Sequence, residues 1–160
     1  ATGDYTSFDL NGWAILPDGG VEPAEQSGTW AAIYNGEQRL WVDRSNPARY
    51  TSMYGYVGFS DNESSPFGWT GSLSIESFGP LSSRPADRTG IAYFYQSLNS
   101  DFQSAFSLAT PLNDVHGGEV YYNAAITPWF HWTFDVQVID PAIEASDTAV
   151  VLATRARIDF

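Results

Sequence analysis

Two histidines and the carboxylates near them are the side chains most able to do acid–base or metal chemistry. His116 follows Asp114 in a polar stretch, and His131 precedes Asp135 within an alternating segment. Neither pair is accompanied by a nucleophile motif such as Gly-x-Ser-x-Gly, and there is no phosphate-binding glycine loop. Two isolated histidines without cysteine also lack metal-ligand spacing. The sequence therefore predicts a protein that is not an enzyme and that holds no metal or cofactor.

Composition excludes further classes of function. The chain of 160 residues has 7 basic against 19 acidic residues, for a formal net charge of −12. This balance argues against nucleic-acid binding, which needs a basic surface. Aromatic residues make up 16% of the chain, and no apolar run approaches the length of a membrane helix; a clean apolar stretch near the end covers only residues 149–153.

Apolar and polar residues alternate with a period of two in the segments that contain these polar residues, which is the period of a β-strand. From Phe130 to Val138, apolar and polar residues alternate strictly, so a strand here has one apolar and one polar face. Trp132, Phe134 and Val136 fall on the apolar side, opposite a polar side of His131, Asp135 and Gln137. Similar alternation predicts about eight strands; the others lie near residues 2–8, 29–42, 51–59, 69–75, 91–95, 120–126 and 150–160.

The connections between these strands differ in length. One set, at residues 9–28, 60–66, 99–118 and 140–147, is long or acidic, and the other, at 43–49, 78–87 and 127–129, is mostly shorter. Alternation of long loops and short turns is typical of outer-membrane barrels. A soluble antiparallel sandwich also alternates, but it has no reason to sort its loops by length or to finish on an aromatic residue in phase with its apolar face. The pattern alone favours the barrel slightly and leaves the sandwich open.

The end of the chain resembles a known family. The stretch from Glu119 to Pro141, with its Thr-Pro-Trp turn, and the ending Arg-Ala-Arg-Ile-Asp-Phe closely resemble the C-terminus of the carbohydrate-selective (OprB-type) porins. Upstream segments such as Ser-Gly-Thr-Trp-Ala-Ala-Ile-Tyr-Asn and Gly-Ile-Ala-Tyr-Phe-Tyr follow in the family order, so the resemblance covers essentially the whole chain.

The resemblance implies an all-β, transmembrane antiparallel β-barrel. We expect residues 1–160 to form the C-terminal part of one outer-membrane barrel domain, about half of a barrel of about sixteen strands. Because a water-filled channel needs about that many strands, a porin would need the remaining half of its chain. The expected function is passive diffusion of carbohydrates across the bacterial outer membrane. A small closed barrel with an anchoring or binding role, and a soluble carbohydrate-binding sandwich, remain alternatives.

The resemblance also implies site residues and partners. Sugars bind to aromatic faces and to polar side chains, so residues of lumen parity are candidates to line the sugar pathway. For any single one of them, a structural role in the wall is the more common explanation. The candidates are Tyr54, Tyr56, Phe94, Glu119, Tyr121, Asn123, His131, Asp135, Arg155 and Arg157. The terminal Phe160 is expected to contribute to the signal read by the barrel-assembly machinery. Outer-membrane lipid and lipopolysaccharide are the expected surroundings, and homo-oligomer formation is left open.

Overall fold

A computed structural model describes residues 3–107 and 109–160, and most of them lie in strands. The elements in chain order are β1 (Asp4–Thr6), a 3-10 turn (Leu10–Gly12), β2 (Ala14–Ile15), β3 (Val21–Glu22), β4 (Glu25–Ser27), β5 (Ala31–Val42), β6 (Tyr50–Ser60), β7 (Phe67–Phe78), β8 (Arg88–Leu98), α1 (Ser100–Ser107), β9 (Val115–Thr127), β10 (Phe130–Asp140) and β11 (Ala149–Ile158).

Strands β5 to β11 form one antiparallel sheet, here called the wall. Each strand pairs with its neighbours in sequence, in the order β5-β6-β7-β8-β9-β10-β11. The strands are 10 to 13 residues long, enough to cross the hydrocarbon layer of a membrane when tilted. Within the described residues β5 does not pair with β11, so the wall is open and has two free edges. The predicted all-β antiparallel fold is confirmed.

The register aligns the alternating patterns of successive strands into rows. One row across six strands is apolar throughout and consists of Met53, Ile75, Ile91, Val120, Val136 and Leu152. The row one residue away includes Glu76, Tyr121 and Asp135. Residues opposite one another on paired strands share a face. The wall therefore has an apolar face, carrying the first row, and a polar face, carrying the second.

The wall is a single layer with almost no interior. Leu98 and Ala124 are the buried hydrophobic residues of the described chain, whereas large side chains of the apolar face are open to the surroundings. Ile91 is 60% exposed and Leu152 is 77% exposed. A sandwich would bury this face against a second sheet. The sandwich alternative is therefore wrong, because no second sheet covers the apolar rows in the described part of the chain.

The two ends of the wall carry different connections. Residues 3–30, 61–66, 99–114 apart from residue 108, and 141–148 lie at one end and are here called the collar. Turns at 43–49, 79–87 and 128–129 lie at the other end, where β11 also finishes. The collar is on average the longer set, which agrees with the predicted contrast between one set that is long or acidic and another that is mostly shorter. The connection 61–66 is shorter than the turn 79–87, which is enlarged to hold a buried carboxylate.

Two local predictions also need correction. The strand expected near residues 2–8 reaches only from Asp4 to Thr6, and it pairs with β4 inside the collar instead of joining the wall; Thr2 lies outside the described residues. The expected loop at 99–118 contains helix α1, and β9 already begins at Val115. Asn99 positions this helix, since its side-chain oxygen accepts a hydrogen bond from the Asp101 N–H (2.9 Å).

The turn at 79–87 is held by Asp87, which is 1% exposed. Its carboxylate accepts hydrogen bonds from the Arg84 guanidinium, the Tyr122 hydroxyl and the Ala125 N–H. Burial raises the pKa of Asp87, but these three donors outweigh burial and hold the pKa below the ordinary value of an aspartate. A positive φ of 62° at Gly79 lets the chain enter the turn, where a side chain would meet Pro85.

Candidate polar site on the wall

The polar face contains a concavity of about 700 Å³ that spans strands β7 to β11. Seven of the ten predicted pathway residues line it, namely Glu119, Tyr121, Asn123, His131, Asp135, Arg155 and Arg157. They come from three adjacent strands, β9, β10 and β11, whose register sets Asp135 beside Tyr121 and Thr133 beside Arg155. The sequence parity therefore brought most of the candidates to one surface.

Tyr121 is fixed at the centre of this concavity. Its hydroxyl donates a hydrogen bond to Glu76 Oε1 at 2.6 Å, across the intervening strand β8. The ring can reach Glu76 because the residue between them is Gly90, which lies opposite Tyr121 in the register. A Cβ atom at Gly90 would lie 2.5 Å from the ring carbon Cε1 of Tyr121. The missing side chain of Gly90 thus creates the seat for the tyrosine.

Carboxylates and guanidinium groups face each other in the same concavity. Arg157 donates to Asp159 at 2.7 Å, and Gln137 donates to Asp135 at 3.3 Å. The second carboxylate oxygen of Asp135 is buried and has no hydrogen-bond partner among the described groups. The side chains of Arg157 and Asp159 remain 66% and 42% exposed, so this pair offers donors and acceptors to a hydroxyl-rich solute.

Three predicted pathway residues lie elsewhere. Tyr56 lines a separate depression near Gly36 and Gly55, and Tyr54, on the polar row of β6, lies outside the concavity. Phe94 covers Gly117, where an added Cβ would lie 2.8 Å from the phenyl ring. Parity places these residues on the polar face, but it carries no information about which strands curve around a common concavity.

Residues beyond the ten candidates also line the concavity. Glu76, Thr133, Gln137 and Asp159 have the polar parity predicted from the sequence, whereas Arg88 lies before the strand predicted near residues 91–95. Arg88 begins β8, and its guanidinium lies 4.6 Å from the centre of the Phe78 ring. The predicted strand begins only at Ile91 and therefore does not include Arg88, with which β8 begins. Gly90 interrupts the alternation of apolar and polar residues, so the pattern does not indicate that the strand begins before Ile91.

The apolar face carries the residues predicted to contact lipid. The Trp132 and Phe134 rings stack in parallel with their centres 5.7 Å apart, and Phe134 is 55% exposed. The indole N–H of Trp132 donates to Thr154 Oγ1 on the neighbouring strand, which satisfies its polar atom on an otherwise apolar surface. Trp129 and Phe130 continue this aromatic group toward the tight turn. Aromatic residues at the ends of barrel strands are typical of a membrane interface.

Among residues 3–107 and 109–160, no group of three or more histidine or acidic residues could hold a metal ion. None of the helices in residues 3–107 and 109–160 is long and apolar enough to span a membrane.

A one-layer antiparallel wall with one apolar and one polar face is the construction of an outer-membrane β-barrel. The sequence profile of the carbohydrate-selective porin, OprB family, matches residues 2–160. The chain therefore belongs to this porin family, a family of channels, and lies in the bacterial outer membrane.

A solved structure supports the same fold. The chain is similar to OprB of Pseudomonas putida, determined at high pH, with a TM-score of 0.83 and 17% sequence identity. The match covers 99% of this chain and 42% of that protein, so the chain spans less than half of its length. No curated protein matches the chain.

Proposed function

We propose that this chain forms part of the wall of a pore through which carbohydrates diffuse passively across the outer membrane. The observation that carries the proposal is the pairing of a continuous apolar face with a polar concavity on the same strands. In a barrel the apolar face contacts lipid and the polar face lines the water-filled lumen. Membership of the porin family supports the same assignment, and a wall of this kind provides transport without catalysis.

The free edges of the wall support a larger barrel. β5 and β11 each present an unpaired edge among the described residues. Unpaired backbone N–H and C=O groups are costly in hydrocarbon, so strands from the rest of the porin would have to pair with both edges. We therefore propose that residues 1–160 are the C-terminal part of a single barrel domain, in preference to a small barrel closed on itself.

Within this pore, the concavity around Tyr121 would line the sugar pathway. Its carboxylates, guanidinium groups and amides would exchange hydrogen bonds with sugar hydroxyls, and the ring of Tyr121 offers an apolar surface to sugar C–H groups. The remaining candidates Tyr54, Tyr56 and Phe94 would contact solutes elsewhere on the polar face. Each is a contact made in passing, consistent with diffusion.

Conductance through planar bilayers tests the proposed function. The intact porin that contains this wall should give discrete conductance steps, and a neutral hexose added to the solution should reduce them. The variant Tyr121→Ala should weaken the block by sugar, whereas Trp129→Ala at the rim of the apolar face should leave it unchanged. An intact porin that forms no channel, or whose current is insensitive to sugars, would contradict the proposal.

Phe160 would contribute to recognition by the barrel-assembly machinery. It lies beyond the end of β11 and is fully exposed, at 115% of the reference area for phenylalanine. A signal read by another protein should be dispensable for stability. We therefore expect Phe160→Ala to lower the amount of assembled porin in cells but to leave refolding of the purified porin into detergent unchanged. Equal loss in both experiments would indicate a structural role instead.

A further inference from the structure

The collar contains most of the net charge of the chain. Its four segments carry eleven acidic residues and neither lysine nor arginine, and Asp140 ends β10 at the same end. The acidic residues of the collar are Asp4, Asp9, Asp18, Glu22, Glu25, Asp61, Glu63, Asp101, Asp114, Glu144 and Asp147. The remaining seven acidic residues are matched in number by the seven arginines. The net charge of −12 thus belongs to the collar and Asp140.

The arginines lie toward the opposite end of the wall. Arg44, Arg49 and Arg84 are in the turns at that end. Arg88 begins β8 directly after the turn 79–87, and Arg157 lies opposite His131 beside the turn 128–129. Arg39 and Arg155 are within a few residues of the same end of their strands. Charge is therefore separated along the strands, which in a barrel means along the axis of the pore.

Hydrogen bonds between the collar segments hold its acidic residues in place. The Phe8 N–H donates to the Glu63 carbonyl at 2.8 Å, and the Asn99 N–H donates to the Pro66 carbonyl at 2.9 Å. On the other side, the Asn113 N–H donates to the Ala142 carbonyl at 2.8 Å. The Phe8 and Phe102 rings also pack edge to face. The collar is consequently a connected structure whose segments are joined to one another at this end of the wall.

Part of this charge is open to solvent and unneutralised. Glu22, Glu25, Glu63 and Glu144 are exposed, and their carboxylates form no ion pair with the described residues. By contrast, Asp61 accepts hydrogen bonds from Gln26 and Ser64, so its charge is partly satisfied inside the collar. The four exposed glutamates therefore contribute a negative potential that the collar itself does not cancel.

We propose that the collar is an electrostatic filter that favours cationic solutes and retards anionic ones at the mouth of the pore. This inference rests on the proposed pore and adds the class of sugar, since neutral sugars would enter freely while sugar acids and sugar phosphates would be slowed. Rings of acidic side chains select cations in channels, and a mouth lined by one sign of charge concentrates counter-ions. Such a field reaches about 8 Å at physiological ionic strength.

Ion selectivity of the intact porin tests the filter. The reversal potential in a gradient of KCl gives the ratio of cation to anion permeability. The variant Glu22→Gln/Glu25→Gln/Glu63→Gln/Glu144→Gln should lower this ratio by at least about twofold at low salt. The control Glu22→Asp/Glu25→Asp/Glu63→Asp/Glu144→Asp keeps the charge and should keep the ratio. The difference should shrink at about 1 M salt, where the screening length is about 3 Å.

The outcomes separate this filter from sugar transport. An unchanged ratio in the glutamine variant, or an equal change in both variants, overturns the filter. In liposome swelling, the glutamine variant should admit a hexuronate faster than the wild type and a neutral hexose at the same rate. A pore that shows the expected change in ion selectivity but passes no hexose would overturn the sugar pathway and retain the filter. A wild-type porin that conducts no ions would overturn both.

Discussion

The apolar and polar faces of the wall are built by alternate residues of the same strands, but they are organised differently. On the apolar face, the row from Met53 to Leu152 repeats one type of side chain across six strands. On the polar face, individual side chains are held by specific partners, as Tyr121 is by Glu76 and Gly90. The apolar face therefore needs only apolar side chains toward the lipid, whereas the polar face depends on specific contacts between individual residues.

This difference predicts how each face tolerates substitution. A lipid-facing position should accept any apolar residue of similar size and reject charge, because lipid cannot hydrate an ion. A lumen-facing position should accept a charged residue. It should not accept a larger residue where a neighbouring side chain fills the space above a glycine, as Tyr121 does above Gly90. Polar atoms on the apolar face are tolerated only when they find a partner on the wall, as the Trp132 indole and the Tyr122 hydroxyl do.

The largest effect is expected from placing a charge on the apolar face. Phe134→Arg should impair barrel assembly, because an arginine facing lipid near the midplane costs about 2–4 kcal/mol. Gln137→Arg, on the polar face of the same strand, should assemble normally and alter only conductance or ion preference. Heat-modifiable migration on gels reports assembly of both variants. Equal tolerance of the two substitutions would mean that β10 does not cross the membrane in this register.

A smaller effect is expected at Asp87 in the turn 79–87, which accepts a hydrogen bond from the hydroxyl of Tyr122 on the apolar face. Asp87→Asn should lower the free energy of unfolding by about 1–3 kcal/mol, because Arg84 and Tyr122 lose a charged acceptor. Asp147→Asn, in the exposed connection between β10 and β11, is the matched control and should have no measurable effect. Urea unfolding of the porin refolded in detergent compares the two. Indistinguishable midpoints would show that Asp87 does not anchor this turn.

A side chain added at Gly90, on the polar face, should lower the free energy of unfolding by about 1 kcal/mol. Gly90→Ala forces the ring of Tyr121 away from Glu76, since the new methyl group overlaps the present ring position. Gly36→Ala is the control, because a Cβ at that position meets no atom within 4 Å. Urea unfolding again compares the variants. In the background of Tyr121→Ala, the substitution Gly90→Ala should cause no further loss of unfolding free energy, because the ring that the methyl group would meet is absent. Equal stability of Gly90→Ala and Gly36→Ala would refute the proposed seat.

The smallest effect concerns pH. Because the folded-state pKa of Asp87 is lowered, its contribution to stability is fully present above the unfolded value of about 3.9 and is lost as pH falls through the lower folded value. The stability difference between wild type and Asp87→Asn should thus be constant from neutral pH to about pH 5 and decrease below about pH 4. A difference that vanished already near neutral pH would contradict this assignment.

Much of the wall could be predicted from sequence because its strands are two-sided. Alternation around Phe134 and Ile91 gave both the strands and their faces, since a period of two is a local property of the chain. Family resemblance then gave the context in which an exposed apolar face is stable. The positions of Glu119, Tyr121 and Asp135 on one polar surface followed from the same parity.

The collar and the shape of the concavity could not be predicted in this way. The contacts of Phe8 with Glu63 and of Asn113 with Ala142 join backbone groups of distant segments, and such bonds leave no periodic signal in the sequence. The separation of Tyr54 and Phe94 from the concavity depends on how the sheet curves, a property of several strands together. Gly90 interrupts the apolar–polar pattern at the position where the ring of Tyr121 packs across the sheet, so the pattern does not predict this contact.

The accessibility of single spin labels along β10 tests the central claim most directly. The chain contains no cysteine, so labels can be placed at Trp132→Cys, Thr133→Cys, Phe134→Cys, Asp135→Cys and Val136→Cys in the intact porin reconstituted in lipid. Oxygen, which concentrates in lipid, should reach the labels at 132, 134 and 136, and a water-soluble nickel chelate should reach those at 133 and 135. Accessibility without this alternation, or with its phase reversed, would contradict a wall whose apolar face meets lipid and whose polar face lines the pore.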